Sequence, residues 1–133
     1  MDIDKVKIDK LVKEFYSAFT NKGKKPNLNF VYETCIDEAV IIKNTKGISE
    51  TYNLENFIAP RKELLSNGTL TGFEEYEVRE QTLITRNIAQ RISHYQKEGI
   101  LNNDRFSSKG TKMFQFVKTD KVWRICCAIW DDK

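Results

Sequence analysis

Between Asp4 and Asn21 the apolar residues Ile8, Leu11, Val12, Phe15, Tyr16 and Phe19 recur at spacings of three and four, which places them on one face of a helix. Asp2 or Asp4 can cap its start, and Gly23 followed by Pro26 stops it. Asn27 or Asn29 can cap a second, short helix through Phe30, Val31 and Thr34. The run Ala39-Val40-Ile41-Ile42 is too short for a helix and predicts a strand, which the turn residues Asn44-Thr45-Lys46-Gly47 reverse into Ile48 to Tyr52. Helical spacing returns at Leu54, Phe57, Ile58, Leu64 and Leu65, with Asn53 as a cap and Asn67-Gly68 as a stop. Pro60 removes a donor and restricts Ala59, so this third helix is expected to kink there or to begin there.

The second half changes period. Phe73 to Thr85, Ile88 to Glu98, Thr111 to Thr119 and Val122 to Trp130 read as strands, with tight reversals at Arg86-Asn87 and Asp120-Lys121. The segment Gly99 to Gly110, rich in Asn, Ser and Asp, reads as a longer loop. Helices first and a meander last is an α+β order in which the helices cover one sheet face. Strands this long twist and curl, so the expected fold is a cone-shaped, curved antiparallel sheet of about six strands wrapped on three helices. Such an arrangement encloses a pocket with a mouth, a natural place for a small ligand.

Composition narrows the function more than it specifies it. The chain has 133 residues, 40% of them hydrophobic and 31% charged, enough for one domain spanning 1–133 with one core. The net charge of +3 is small and its sources are scattered, with no basic, aromatic-interleaved stripe, so no nucleic-acid partner is expected. The start, Met1-Asp2-Ile3-Asp4-Lys5, lacks the apolar stretch of a secretory signal or a membrane span, and the chain reads as cytoplasmic with no membrane partner. Cys35, Cys126 and Cys127 have neither disulfide-framework nor zinc spacing, and His94 is the only histidine, so no metal site and no cofactor are expected.

Tyr16 in the first helix, Asp37-Glu38-Ala39 opening the first strand, Ile88-Ala89 opening a central strand and Trp123-Arg124-Ile125 to Trp130-Asp131 at the end form a pattern over almost the whole chain. This pattern resembles the nuclear-transport-factor-2-like superfamily, to which SnoaL-like and ketosteroid-isomerase-like proteins belong. His94-Tyr95-Gln96-Lys97, Met113-Phe114-Gln115-Phe116 and Ile129-Trp130-Asp131-Asp132 look most like bacterial members without an assigned activity. On the isomerase pattern the tyrosine is matched by Tyr16, while the base position falls at Lys43 and the acid position near Met113. An ammonium accepts no proton and a thioether donates none, so steroid isomerisation is not expected.

If Ala89 faces inward, as the resemblance implies, alternation sends Arg91, Ser93 and Tyr95 to the pocket and His94 outward. Tyr16, Lys43 and Met113 join them through the resemblance, and Cys126 and Trp130 through shared parity on the last strand. Arg91 needs an anion inside a sheet: either a salt bridge to Glu75, Glu77 or Glu80, or an acidic ligand. The outer face is expected to carry Ile92, His94, Trp123, Ile125 and Ile129, an apolar surface through which the resembling proteins commonly dimerise. Three readings of function stand side by side. The first is a SnoaL-like binder of a small, acidic, apolar ligand. The second is a cofactor-independent cyclase, isomerase or dehydratase using Tyr16, Tyr95 or Arg91. The third is a homodimeric association domain with an incidental cavity.

Overall fold

The Asp2 carboxylate accepts hydrogen bonds from the backbone N–H groups of Asp4 and Lys5, at 3.0 and 3.3 Å, and so caps helix α1 (Ile3–Ser17). The computed structural model describes residues 2–132. Helix α2 (Asn29–Thr34) has no side-chain cap, because neither Asn27 nor Asn29 bonds its first turn through its amide. Strands β1 (Cys35–Thr45) and β2 (Ile48–Tyr52) form a hairpin, and helix α3 (Leu54–Ser66) starts at Asn53, whose side chain accepts from the Asn56 N–H at 2.8 Å. Pro60 lies inside α3, so the helix neither starts nor stops at the proline.

The remaining strands are β3 (Leu70–Thr85), β4 (Ile88–Leu101), β5 (Asp104–Thr119) and β6 (Val122–Asp132). They join β1 and β2 in one open sheet of order β2-β1-β6-β5-β4-β3. The pair β1–β6 is parallel and the others antiparallel, so the sheet is mixed. No long loop exists at Gly99 to Gly110. The strands β4 and β5 run through it and turn at Asn102-Asn103, both with positive φ, where Leu101 pairs with Asp104. Polar composition there reflects a hairpin with much exposed surface rather than irregular chain.

Besides an irregularity in the β1–β6 pair between Cys35 and Val40, three bulges shape the sheet. At Gly72 (φ 56) the β3–β4 register shifts once, and at Val78 it shifts again, keeping Glu75, Glu77 and Glu80 all on the helix-facing side. At Cys126 the β5–β6 register shifts between Gln115–Cys127 and Phe116–Ile125. The third bulge inverts the parity of β6. Trp123 and Ile125, expected on the outer face, are buried at 3% and 1% exposure, as are Ala128 and Trp130 beyond the bulge. The Trp123 indole N–H donates to Asp4 Oδ1 at 2.8 Å, tying β6 to the start of α1.

The core lies between α1, α3 and the inner sheet face. Phe15 meets Phe19 and Phe114 edge-on at 5.8 and 5.5 Å, and Phe19 meets Phe57 at 5.9 Å. Asn21 closes one end of it: its amide N–H groups donate to Leu65 O and Leu70 O, and its Oδ1 accepts from the Phe73 N–H at 2.7 Å. Gly110 sits opposite Tyr95, whose ring folds over it so closely that a Cβ there would lie 2.4 Å from the phenol oxygen. No helix among the described residues is long and apolar enough to cross a membrane.

Candidate functional site

Between α3 and the concave side of the sheet lies a cavity of about 640 Å³. Its apolar wall comes from Phe15 on α1, Phe19 in the turn after it, Phe57, Leu64 and Leu65 on α3, and Phe73, Phe106 and Trp130 on the sheet. Trp130 packs edge-on against Phe57 at 5.7 Å, so sheet and helix meet through the same aromatic pair. Its polar lining is Lys43, Glu50, Arg61, Glu75, Lys97, Lys112 and Asp132. The cavity thus sets an apolar, largely aromatic wall beside seven charged side chains.

The innermost charge is Lys112, 4% exposed, next to Met113 in sequence and opposite it in direction. Its Nζ donates to Glu75 Oε2 at 3.0 Å and lies 3.8 Å from the Tyr95 ring centroid, 4.8 Å from Trp130 and 5.1 Å from Tyr16. Burial drives the ammonium below the usual lysine range, while the Glu75 carboxylate pulls the other way. Burial likewise holds the Tyr16 and Tyr95 phenols well above their ordinary range, so both stay protonated at neutral pH.

Arg61 follows Pro60 on α3. Its guanidinium stacks on the Phe57 ring at 3.8 Å, lies 5.5 Å from the Tyr52 ring, and donates from Nη1 to Phe57 O at 3.0 Å. It takes part in no ion pair among the described residues, although it is half-buried and burial lowers its pKa. The other lining cations are partnered: Lys43 and Lys97 lie 3.6 and 4.0 Å from Asp132.

Arg91 is elsewhere. It is buried in a second cleft, between α1 and β3, where Nε donates to Glu77 Oε2 at 3.0 Å, Nη2 to Glu77 Oε1, and Nη1 to Asp9 Oδ1 at 2.6 Å and Thr82 Oγ1 at 3.3 Å. The network continues through Ser93, which donates to Glu77 Oε2 at 2.5 Å and meets the Tyr16 hydroxyl at 2.8 Å. Four of the five guanidinium N–H donors are thereby used on protein oxygens. The expectation that resolves in favour of geometry is the salt bridge, with Glu77 as partner and Glu80 at 3.8 Å. The acidic-ligand role expected of Arg91 has no free donor face to support it.

The sequence-expected residues therefore divide. Trp130 and Lys43 line the cavity, and Tyr16 and Tyr95 surround Lys112 at its floor. Ser93 belongs to the Arg91 network. Met113 points away, 55% exposed on the outer face, because Phe114 and Phe116 fix the opposite parity of β5. Cys126 is the half-buried bulge residue rather than a regular inner position. Ile92, His94 and Ile129 keep the outer face, with His94 Nδ1 3.1 Å from Thr111 Oγ1. Burial pushes the Cys35 thiol up to about 12. Among the described residues no group of His, Cys, Asp and Glu is arranged to hold a metal ion.

Lys112, Glu75 and Arg61 carry the cavity's chemistry and were not singled out from sequence as its ligands. One signal was available: Lys112 shares the parity of Phe114 and Phe116.

An open mixed sheet wrapped on three helices around a mouthed cavity defines an α+β cone. No family model matches the sequence, and no curated protein matches it at a significant level. Solved structures do match in fold. A nuclear-transport-factor-2-like protein of unknown function from Prochlorococcus is 14% identical at TM-score 0.76, covering 99% of this chain and 94% of that one. A nuclear-transport-factor-2-like protein from Cytophaga hutchinsonii is 15% identical at TM-score 0.74, with both chains covered entirely (100% and 100%). The hexachlorocyclohexane dehydrochlorinase LinA type 2 is 14% identical at TM-score 0.76, covering 96% and 83%. The chain has the nuclear-transport-factor-2-like fold.

Proposed function

We propose that the protein binds a small apolar molecule bearing an acidic group in the cavity between α3 and the sheet. The observation that carries this reading is Arg61: a half-buried guanidinium on an aromatic ring, lining the cavity, with no carboxylate partner among the described residues. A planar donor fork in such a place suits a carboxylate held bidentately, while the phenyl rings and Trp130 cover the apolar body. The reading also takes the protein as cytoplasmic, a setting that its free thiols Cys35, Cys126 and Cys127 suit. A thermal-shift screen of aromatic carboxylates against their amides tests it. Carboxylates are expected to stabilise the wild type, and Arg61→Leu to weaken them about tenfold to a hundredfold with little change for the amides, the size of one charge-assisted pair. Equal response of both ligand classes, or of both proteins, would overturn the assignment.

A second copy of the chain is the proposed partner, and the support is a row on the outer face. Ile42, Ile129, Met113 and Ile92 stand in register across four adjacent strands, with Met113 and Ile129 55% and 41% exposed. The patch is narrower than the sequence led one to expect, because Trp123 and Ile125 are inside. Sedimentation equilibrium at micromolar concentration should give twice the chain mass, reduced to one by Met113→Lys with Ile129→Lys. A wild-type monomer under these conditions would remove the dimer from consideration.

A further inference from the structure

Among the described residues Lys112 alone of the lysines is buried, and a purely structural role explains it poorly. Replacing a buried ion pair with apolar side chains of similar volume is often neutral or stabilising, so this pair costs stability that packing would not. Three of its neighbours, Tyr16, Tyr95 and Trp130, present ring faces, and Glu75 Oε2 at 3.0 Å is its hydrogen-bond acceptor. Ring faces leave the nitrogen poorly solvated, whereas the same side chain lines the cavity in which a ligand would lie.

We propose that Lys112 is an amine nucleophile that forms an imine with the carbonyl carbon of an oxo-acid, with Glu75 as its proton partner. The inference rests on the cavity being a binding site for acidic ligands: Arg61 would hold the carboxylate and Lys112 would meet the carbonyl.

A proton shift along the Nζ···Oε2 hydrogen bond converts ammonium and carboxylate into amine and carboxylic acid. The nitrogen lone pair then forms the N–C bond as the carbonyl π pair moves onto oxygen, and one nitrogen proton passes to that oxygen to give the carbinolamine. Glu75 returns its proton to the hydroxyl, the C–O bond breaks, water leaves, and the nitrogen pair closes the C=N bond. The product is an iminium beside the Glu75 carboxylate, so one buried charge pair replaces another and no further reactant is consumed. Burial, which disfavours the ammonium, favours the neutral amine that the attack requires.

The full chain is incubated at neutral pH with phenylpyruvate, an apolar 2-oxo-acid, and sodium cyanoborohydride, and the reduced adduct is located by peptide mass spectrometry. In parallel, 3-phenylpropanoate, which has the acid but no carbonyl, is scored by thermal shift. The expected result is an adduct concentrated at Lys112, about tenfold or more above any surface lysine, as a preorganised desolvated amine demands. Glu75→Gln should slow labelling at Lys112 while leaving the surface background unchanged. Stabilisation by 3-phenylpropanoate and phenylpyruvate without an adduct at Lys112 would overturn the imine and leave the acid-binding reading standing. An adduct spread evenly over surface lysines would overturn it too, and neither stabilisation nor adduct would overturn both readings.

Discussion

Arg91→Leu is expected to cost about 3–5 kcal/mol of folding stability, the size of effect seen when one partner of a buried ion pair is removed. Arg91 is 3% exposed and answers Glu77 with two nitrogens, while Glu77 also accepts from Ser93, which in turn meets Tyr16. Without the guanidinium, a largely buried carboxylate keeps only the Ser93 hydroxyl. Urea unfolding measures the loss, and a change below about 1 kcal/mol would show that the network is solvated in practice. Acid supplies a second readout. Burial would raise the Asp9 carboxyl, but hydrogen bonds from Lys5 and Arg91 outweigh it and hold the group below the usual carboxylate range; Thr82, then Lys5 and Arg91, do the same for Glu80. Groups whose folded pKa is depressed stabilise above their unfolded pKa and lose that contribution as pH falls through the folded one. Stability of the wild type should therefore decline more steeply than that of the variant below about pH 4.

At the cavity floor a double-mutant cycle is expected to be strongly non-additive. Lys112→Met leaves Glu75 buried beside aromatic rings without its ammonium, an expected cost of about 3–5 kcal/mol. Glu75→Leu leaves the ammonium uncompensated except for the Tyr95, Trp130 and Tyr16 ring faces, whose attraction offsets about 1–2 kcal/mol of the loss. The double variant removes both charges and should be more stable than either single one. Chemical denaturation of the four proteins reads the coupling, and additive costs would show that the two side chains do not act as a pair.

Much of the fold was legible because its signals are periodic. Ile8 to Phe19 mark α1 by spacing alone, and the alternation of Phe114 and Phe116 fixes β5. What escaped was aperiodic. A bulge adds one residue without altering composition, so nothing in Ile125-Cys126-Cys127-Ala128 announces that parity changes there, and Trp123 and Ile125 were assigned to the wrong side. Asn102-Asn103 looked like part of a loop because a two-residue hairpin and an irregular segment draw on the same residues. Lysine and arginine inside a cavity run against the general rule that they face water, so the sequence pattern did not mark Lys112 or Arg61 as cavity residues. Arg91 was read correctly as needing an anion, but only the bulge at Val78 explains why both Glu77 and Glu80 face it.

The strand order carries a consequence for how the chain is made. Of the six strands, β6 is synthesised last yet lies between β1 and β5, joining the hairpin built first to the meander built later. Without β6, the facing edges of β1 and β5 would be unpaired, each a template for pairing with the wrong chain. Both edges are satisfied at once when Val122–Asp132 slots between them, and the Trp123 indole then reaches Asp4 at the opposite end of the sequence. The sheet is thus completed through contacts of long sequence separation, a topology that favours slow folding.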